Sequence, residues 1–88
     1  MENNVPVITM YEVELVIYNG DKNESSSSYY TREEDTKYRA LTLCKCWLEN
    51  PWRYLVTTND DDVRIYDKVM DDVYAVIFIR EHHYVEVG

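Results

Sequence analysis

Glycine and proline are scarce in this chain, two of each among 88 residues. With so little glycine, no phosphate-cradling loop of the G-x-x-x-x-G-K or G-x-G-x-x-G type is present. Nor does the sequence contain a G-x-S-x-G elbow or an H-E-x-x-H zinc pattern. Cysteine is limited to Cys44 and Cys46. Two positions apart on a helix, these thiols point about 200° from one another and lack the C-x-x-C spacing of redox and zinc sites. They read as reduced cysteines of a cytosolic protein, one packed and one peripheral. An intermolecular disulfide or a reactive thiol is the alternative. The longest strongly apolar run, Val73 to Ile79, covers seven residues, far short of the roughly 20 a membrane-spanning helix needs. Met1 to Pro6 lacks the basic and apolar regions of a secretory signal.

Positive charge is also in short supply. Seventeen acids face nine bases, giving −8, which opposes direct binding to nucleic acid or to an anionic membrane. What is plentiful is aromatic and apolar content, with 45% hydrophobic residues, nine tyrosines and two tryptophans. Such a composition folds. The length allows one domain, 1–88, and no second.

Periodicity then sets the fold class. Tyr11, Val13, Leu15 and Ile17 alternate with Glu12, Glu14, Val16 and Tyr18, the period of a half-buried strand. Val7 to Met10 extend it, Pro6 limits it, and Asn19-Gly20-Asp21 turns the chain. Residues 21–30, with Ser25 to Ser28 at their centre, read as a mobile, serine-rich loop. Thr31 and Glu34 spell a capping box, and Glu33, Glu34 and Asp35 suit the positive end of a helix dipole. Lys37, Ala40, Leu41, Cys44, Trp47 and Leu48 then recur at three- and four-residue steps, flanked by Leu43, until Asn50-Pro51 stops the run. The spacing predicts one helix over 32–49.

Strand patterns follow at 52–58, 63–66, 73–80 and 83–87, separated by Asn59–Asp62, by Asp67–Asp72 and by a Glu81-His82 turn. Val69-Met70 could add a short helical turn in the second of these connections. The expected fold is α+β: a single helix on one face of a mostly antiparallel four- to five-stranded sheet, in the order β-α-β-β-β-β. The first strand, the helix and the next strand would form a right-handed crossover.

The charge is uneven. Residues 1–30 hold five acids and one base, net −4; 31–53 hold four acids and five bases, net +1; 54–88 hold eight acids and three bases, net −5. The expected topology gathers Asp21, Glu24, Glu33, Glu34, Asp35, Asp60, Asp61, Asp62 and Glu81 at one end, with Asp67, Asp71 and Asp72 at the other. Such an acidic pole serves solubility or docks a basic partner steered by charge. Calcium binding at Asp60–Asp62 is disfavoured, since the alternate ligands, glycine and distal glutamate of an EF-hand are missing from that register. His82 and His83 would face opposite sides of a strand and make a poor metal pair. No nucleophile signature exists, so neither catalysis nor a cofactor is expected. Tyr29 and Tyr30, on the serine segment, are candidates to add apolar area to a binding patch.

The small size, net negative charge, capping-box helix Thr31 to Glu49 and acidic turns at Asp60–Asp62 and Asp71-Asp72 resemble a class of small inhibitors. Phages and mobile elements use these proteins, anti-CRISPR proteins and DNA mimics among them, against host machinery. The resemblance implies a non-enzymatic, cytoplasmic inhibitor that binds the basic surface of a nucleic-acid-handling protein. Glu33, Glu34, Asp35, Asp60, Asp61, Asp62, Tyr29 and Tyr30 would form its contact, with no direct nucleic-acid or membrane binding. The alternatives are an accessory module that homodimerises through an edge strand, either 83–87 or the N-terminal one, and a small metal or ligand sensor.

Overall fold

The alternating first segment forms a 13-residue strand, β1 (Val7–Asn19), in a computed structural model that describes residues 7–85. Pro6 and the last two residues of the expected 83–87 strand lie outside the described residues. Gly20, at φ +60°, occupies the first central position of a two-residue hairpin turn, where positive φ favours glycine. The chain returns as β2 (Lys22–Tyr30), antiparallel to β1 and paired with it from Asn19↔Lys22 to Tyr11↔Tyr30.

Here the sequence misleads. Residues 22–30 are a strand and not a mobile serine loop. Serine, asparagine and glutamate carry no apolar alternation, so nothing in the segment announces pairing. The tight turn brings β2 alongside β1, whose outer row of N–H and C=O groups requires partners.

The helix α1 (Glu33–Leu48) follows, with β3 (Tyr54–Thr58), β4 (Asp62–Asp67) and β5 (Asp72–Val85) after it. The single helix, the antiparallel sheet and the α+β class agree with the sequence reading. The elements run β-β-α-β-β-β. The strand gained at 22–30 is balanced by the union of 73–80 and 83–87 into β5. Glu81-His82 is not a turn, because alternation continues through it without glycine, proline or asparagine. Polarity changes there because the strand outruns the helix that covers the core. Strand order is β2-β1-β5-β4-β3, so α1 carries the chain from one sheet edge to the other.

Thr36, Ala40, Cys44 and Trp47 form the buried stripe of α1. They pack on Val13, Val63, Ile65, Ala75 and Ile77. Tyr74 is an extra residue in the β4–β5 register, where Ile65 faces Ala75 but Tyr66 faces Val73. The bulge turns it toward the helix, edge-on to Trp47 with ring centroids 6.1 Å apart. Leu41 and Leu48, expected in the packed face, are 61% and 48% exposed. Cys44 is buried and Cys46 exposed, both free, and burial raises the Cys44 pKa.

The Thr31–Glu34 capping box does not form. Arg32 is the N-cap and receives no side-chain cap bond; instead the Thr36 hydroxyl donates to the Arg32 carbonyl at 3.0 Å. Thr31 stands one residue too early to reach the first free N–H groups. The stop holds as expected, and Asn50 Nδ2 donates to the Cys46 carbonyl at 2.8 Å. Val69 and Met70 lie in a turn and are exposed. That turn is pinned by buried Asp67, whose carboxylate accepts from Val69 N at 2.9 Å, Met70 N at 3.2 Å and Arg53 Nη2 at 3.1 Å. Burial opposes the Asp67 charge, but the guanidinium and the two N–H groups outweigh it and hold the carboxyl below its ordinary value.

Candidate functional site

Antiparallel order fixes which loops share an end. β1 and β4 run one way while β2, β3 and β5 run the other. The start of α1, the turn joining β3 to β4 and the stretch of β5 beyond Phe78 therefore meet at one end of the sheet. Glu33, Asp60, Asp61 and Glu81 line one shallow depression there, about 230 Å3 in volume, together with the cations Lys37 and Arg80 and with Tyr11, Thr36 and Ile79.

Seven of the nine acids expected at this pole are at this end, four of them lining the depression, and two are not. Because 22–30 is a strand, Asp21 and Glu24 lie at the opposite end, with Asp71 and Asp72. The ends are roughly 30 Å apart, nine residues of β5 at about 3.3 Å each. Asp62 is also different in kind from its neighbours. It is half-buried, accepts from Asn59 Nδ2 at 2.7 Å and lies 3.5 Å from Arg64 Nε, so it closes the turn.

The helix start is partly neutralised: Glu33 lies 3.3 Å from Lys37, Glu34 2.6 Å from Arg32, and Asp35 3.9 Å from Arg32. These pairs are exposed, and pairs of that kind contribute little to stability. Asp60 and Asp61 are exposed and form no ion pair among the described residues. They are the free charge of this end.

Tyr29 and Tyr30 do not form one patch. Adjacent in a strand, they face opposite sides. Tyr30 packs against the core on the helix side, while Tyr29, 56% exposed, stands on the uncovered face.

That uncovered face holds a second constellation. Glu12 lies opposite Tyr29 on β2 and Arg80 on β5, and it is only 8% exposed. Its carboxylate accepts from Ser27 Oγ at 2.9 Å and from the Tyr29 hydroxyl at 3.4 Å. His82 Nε2 is 2.8 Å away; a carboxylate has no proton to give, so the imidazole bears its proton on Nε2. Arg80 bridges Glu14 at 2.8 Å and Glu12 at 3.6 Å, and lies 4.7 Å over the Phe78 ring.

The hydrogen bonds from His82 and Ser27, then the positive charge of Arg80, lower the Glu12 pKa against the opposing effect of burial. The Glu12 charge in turn raises that of Tyr29, and the Glu14 hydrogen bond raises that of Arg80. Sequence reasoning missed this network. Alternation placed Glu12 and Glu14 on an outer face, but Ser27, Tyr29 and His82 come from segments read as a loop and a turn, and only Arg80 from a segment read as a strand.

The Glu12 and Glu14 carboxylates of this network are each met by donors. Among the described residues, no group of three or more His, Cys, Asp or Glu side chains is placed to hold a metal ion. No helix of the described residues is long and apolar enough to cross a membrane. No family model, curated protein or solved structure matches this chain.

Proposed function

We propose that this chain is a non-enzymatic binding protein that docks by its acidic end onto the basic surface of a nucleic-acid-handling protein and blocks that surface. The observation carrying the reading is the convergence of Glu33, Asp60, Asp61 and Glu81 around one depression that Lys37 and Arg80 also line, with Asp60 and Asp61 in no ion pair among the described residues. Carboxylates gathered at one end concentrate negative potential, speed encounter with a basic patch and favour it over other surfaces. The net charge of −8 adds long-range steering. The role fits the class that the chain resembles, inhibitors acting in the cytoplasm of a host cell.

Competition tests the reading. The chain is immobilised, nuclease-treated lysate is passed over it at low salt, and a short DNA duplex is then added. Captured proteins should be nucleic-acid binders released by the duplex, and Asp60→Lys with Asp61→Lys should abolish their capture. Capture that survives both the duplex and the double substitution would overturn the assignment.

A further inference from the structure

We propose that two copies of this chain pair through β2, edge to edge, into one continuous ten-stranded antiparallel sheet. This surface is separate from the acidic end. On its inner side β2 is matched to β1 over all nine residues with no register shift. On its outer side it is the sheet edge, and the backbone groups there have no strand beside them. Natural edges are protected by proline, bulges, inward charges or very short strands. β2 is nine residues long, unbulged and without proline, and its two charges, Lys22 and Glu24, sit near one end and leave residues 25–30 uncharged. The opposite edge, β3, has five residues.

The strand suits its own copy. Full overlap of residues 22–30 with the same residues running the other way puts the two-fold axis at Ser26. Lys22 then faces Tyr30 of the partner subunit, Glu24 faces Ser28 of the partner subunit, and Ser26 faces Ser26 of the partner subunit. No like charges stand opposite one another. The same register brings the Asp21 end of one copy to the Arg32 end of the other. Ser25, Ser26 and Ser27 are exposed and small, so no side chain bars approach of the second backbone. Shifting the axis by one residue would forfeit two residues of overlap. Because the strands run antiparallel, the two acidic ends point away from each other and both stay open.

The axis at Ser26 gives a residue-specific test. Directly opposite residues in an antiparallel pair have Cα atoms about 4.5–5.5 Å apart, within disulfide range. In a Cys46→Ser background, Ser26→Cys should cross-link to a covalent dimer under mild oxidation, whereas Ser25→Cys should not. Sedimentation equilibrium should give about twice the 10.6 kDa of one chain. Ser26→Lys should weaken association on the order of fivefold, the effect of like charges directly opposed, and mixing Ser26→Lys with Ser26→Glu protein should restore it.

Salt separates this pairing from the docking proposed above. Two chains of charge −8 associate more tightly as salt rises, while docking on a basic surface weakens. A chain that sediments as a monomer at every soluble concentration overturns the proposal. So does a dimer in which Ser26→Cys cross-links no better than Ser25→Cys.

Discussion

Removing the Glu12 carboxylate should destabilise the domain more than its place on a solvent-facing sheet surface suggests. The group is 8% exposed and accepts two short bonds, from His82 at 2.8 Å and Ser27 at 2.9 Å, besides the longer approaches of Tyr29 and Arg80. A hydrogen bond to a charged group contributes about 1.5–3 kcal/mol when dry. His82 is half-buried, so water recovers part of this in the truncated protein. Glu12→Ala should therefore cost about 2 kcal/mol, which lowers Tm by roughly 8–16 °C in a domain of this size.

Glu12→Gln keeps the shape and an acceptor oxygen and should lose about half as much. It also separates charge from packing. The folded pKa of Glu12 is depressed below its ordinary value near 4.5, so the carboxylate's contribution is complete above that value and disappears as pH falls through the folded one. Thermal melts followed by circular dichroism should thus show a gap between wild type and Glu12→Gln at about pH 7 that narrows toward about pH 3. A constant gap across that range, or a Glu12→Ala protein melting within about 3 °C of wild type, would refute the reasoning.

Other substitutions probe other links. Asp67→Asn should lower the urea midpoint at neutral pH by removing the partner of Arg53; because the Asp67 pKa is also depressed, its deficit should shrink in acid. Ile65, fully buried, should lose about 2–5 kcal/mol on truncation to alanine and about 0.5–1.5 on change to valine. Leu41→Ala, on the exposed side of α1, should stay within about 0.5 kcal/mol, measured by the same unfolding curves.

Where one face is buried, the sequence was legible. The alternation of Tyr11 to Tyr18 and the spacing of Ala40, Cys44 and Trp47 are direct imprints of the core, and Asn50-Pro51 stops the helix as its chemistry requires. Where an element is held by pairing alone, it was not. β2 contributes only half-buried Ser28 and Tyr30 to the interior, so its strand character resides in hydrogen bonds to β1 and leaves no apolar period. The distal half of β5 fails for a related reason. Past Phe78 it has lost β4 as a neighbour, its side chains become polar, and polarity alone resembles a turn.

The same two misreadings decide how much of the site could be foreseen. With residues 22–30 as a loop, Asp21 and Glu24 join the helix start at one end; as a strand, they cross the molecule. The acidic cluster that remains is smaller: Glu33 and Glu81 sit on α1 and β5, and Asp60 and Asp61 on the short turn joining β3 to β4. That turn is tied by backbone bonds from Asn59 N to the Asp62 carbonyl and from Ile79 N to the Asp61 carbonyl, both 2.8 Å, so its carboxylates give up less ordering entropy on binding than those of a long loop. Losing Asp21 and Glu24 therefore reduces the charge of the docking end without reducing its preorganisation. That gain also identifies the informative residues. Asp62 is spent on Asn59 and Arg64, and Glu34 and Asp35 share Arg32, so reversing any of these disturbs internal pairs as well as the surface field. Asp60 and Asp61 carry no such obligation, and their reversal reports on the partner alone.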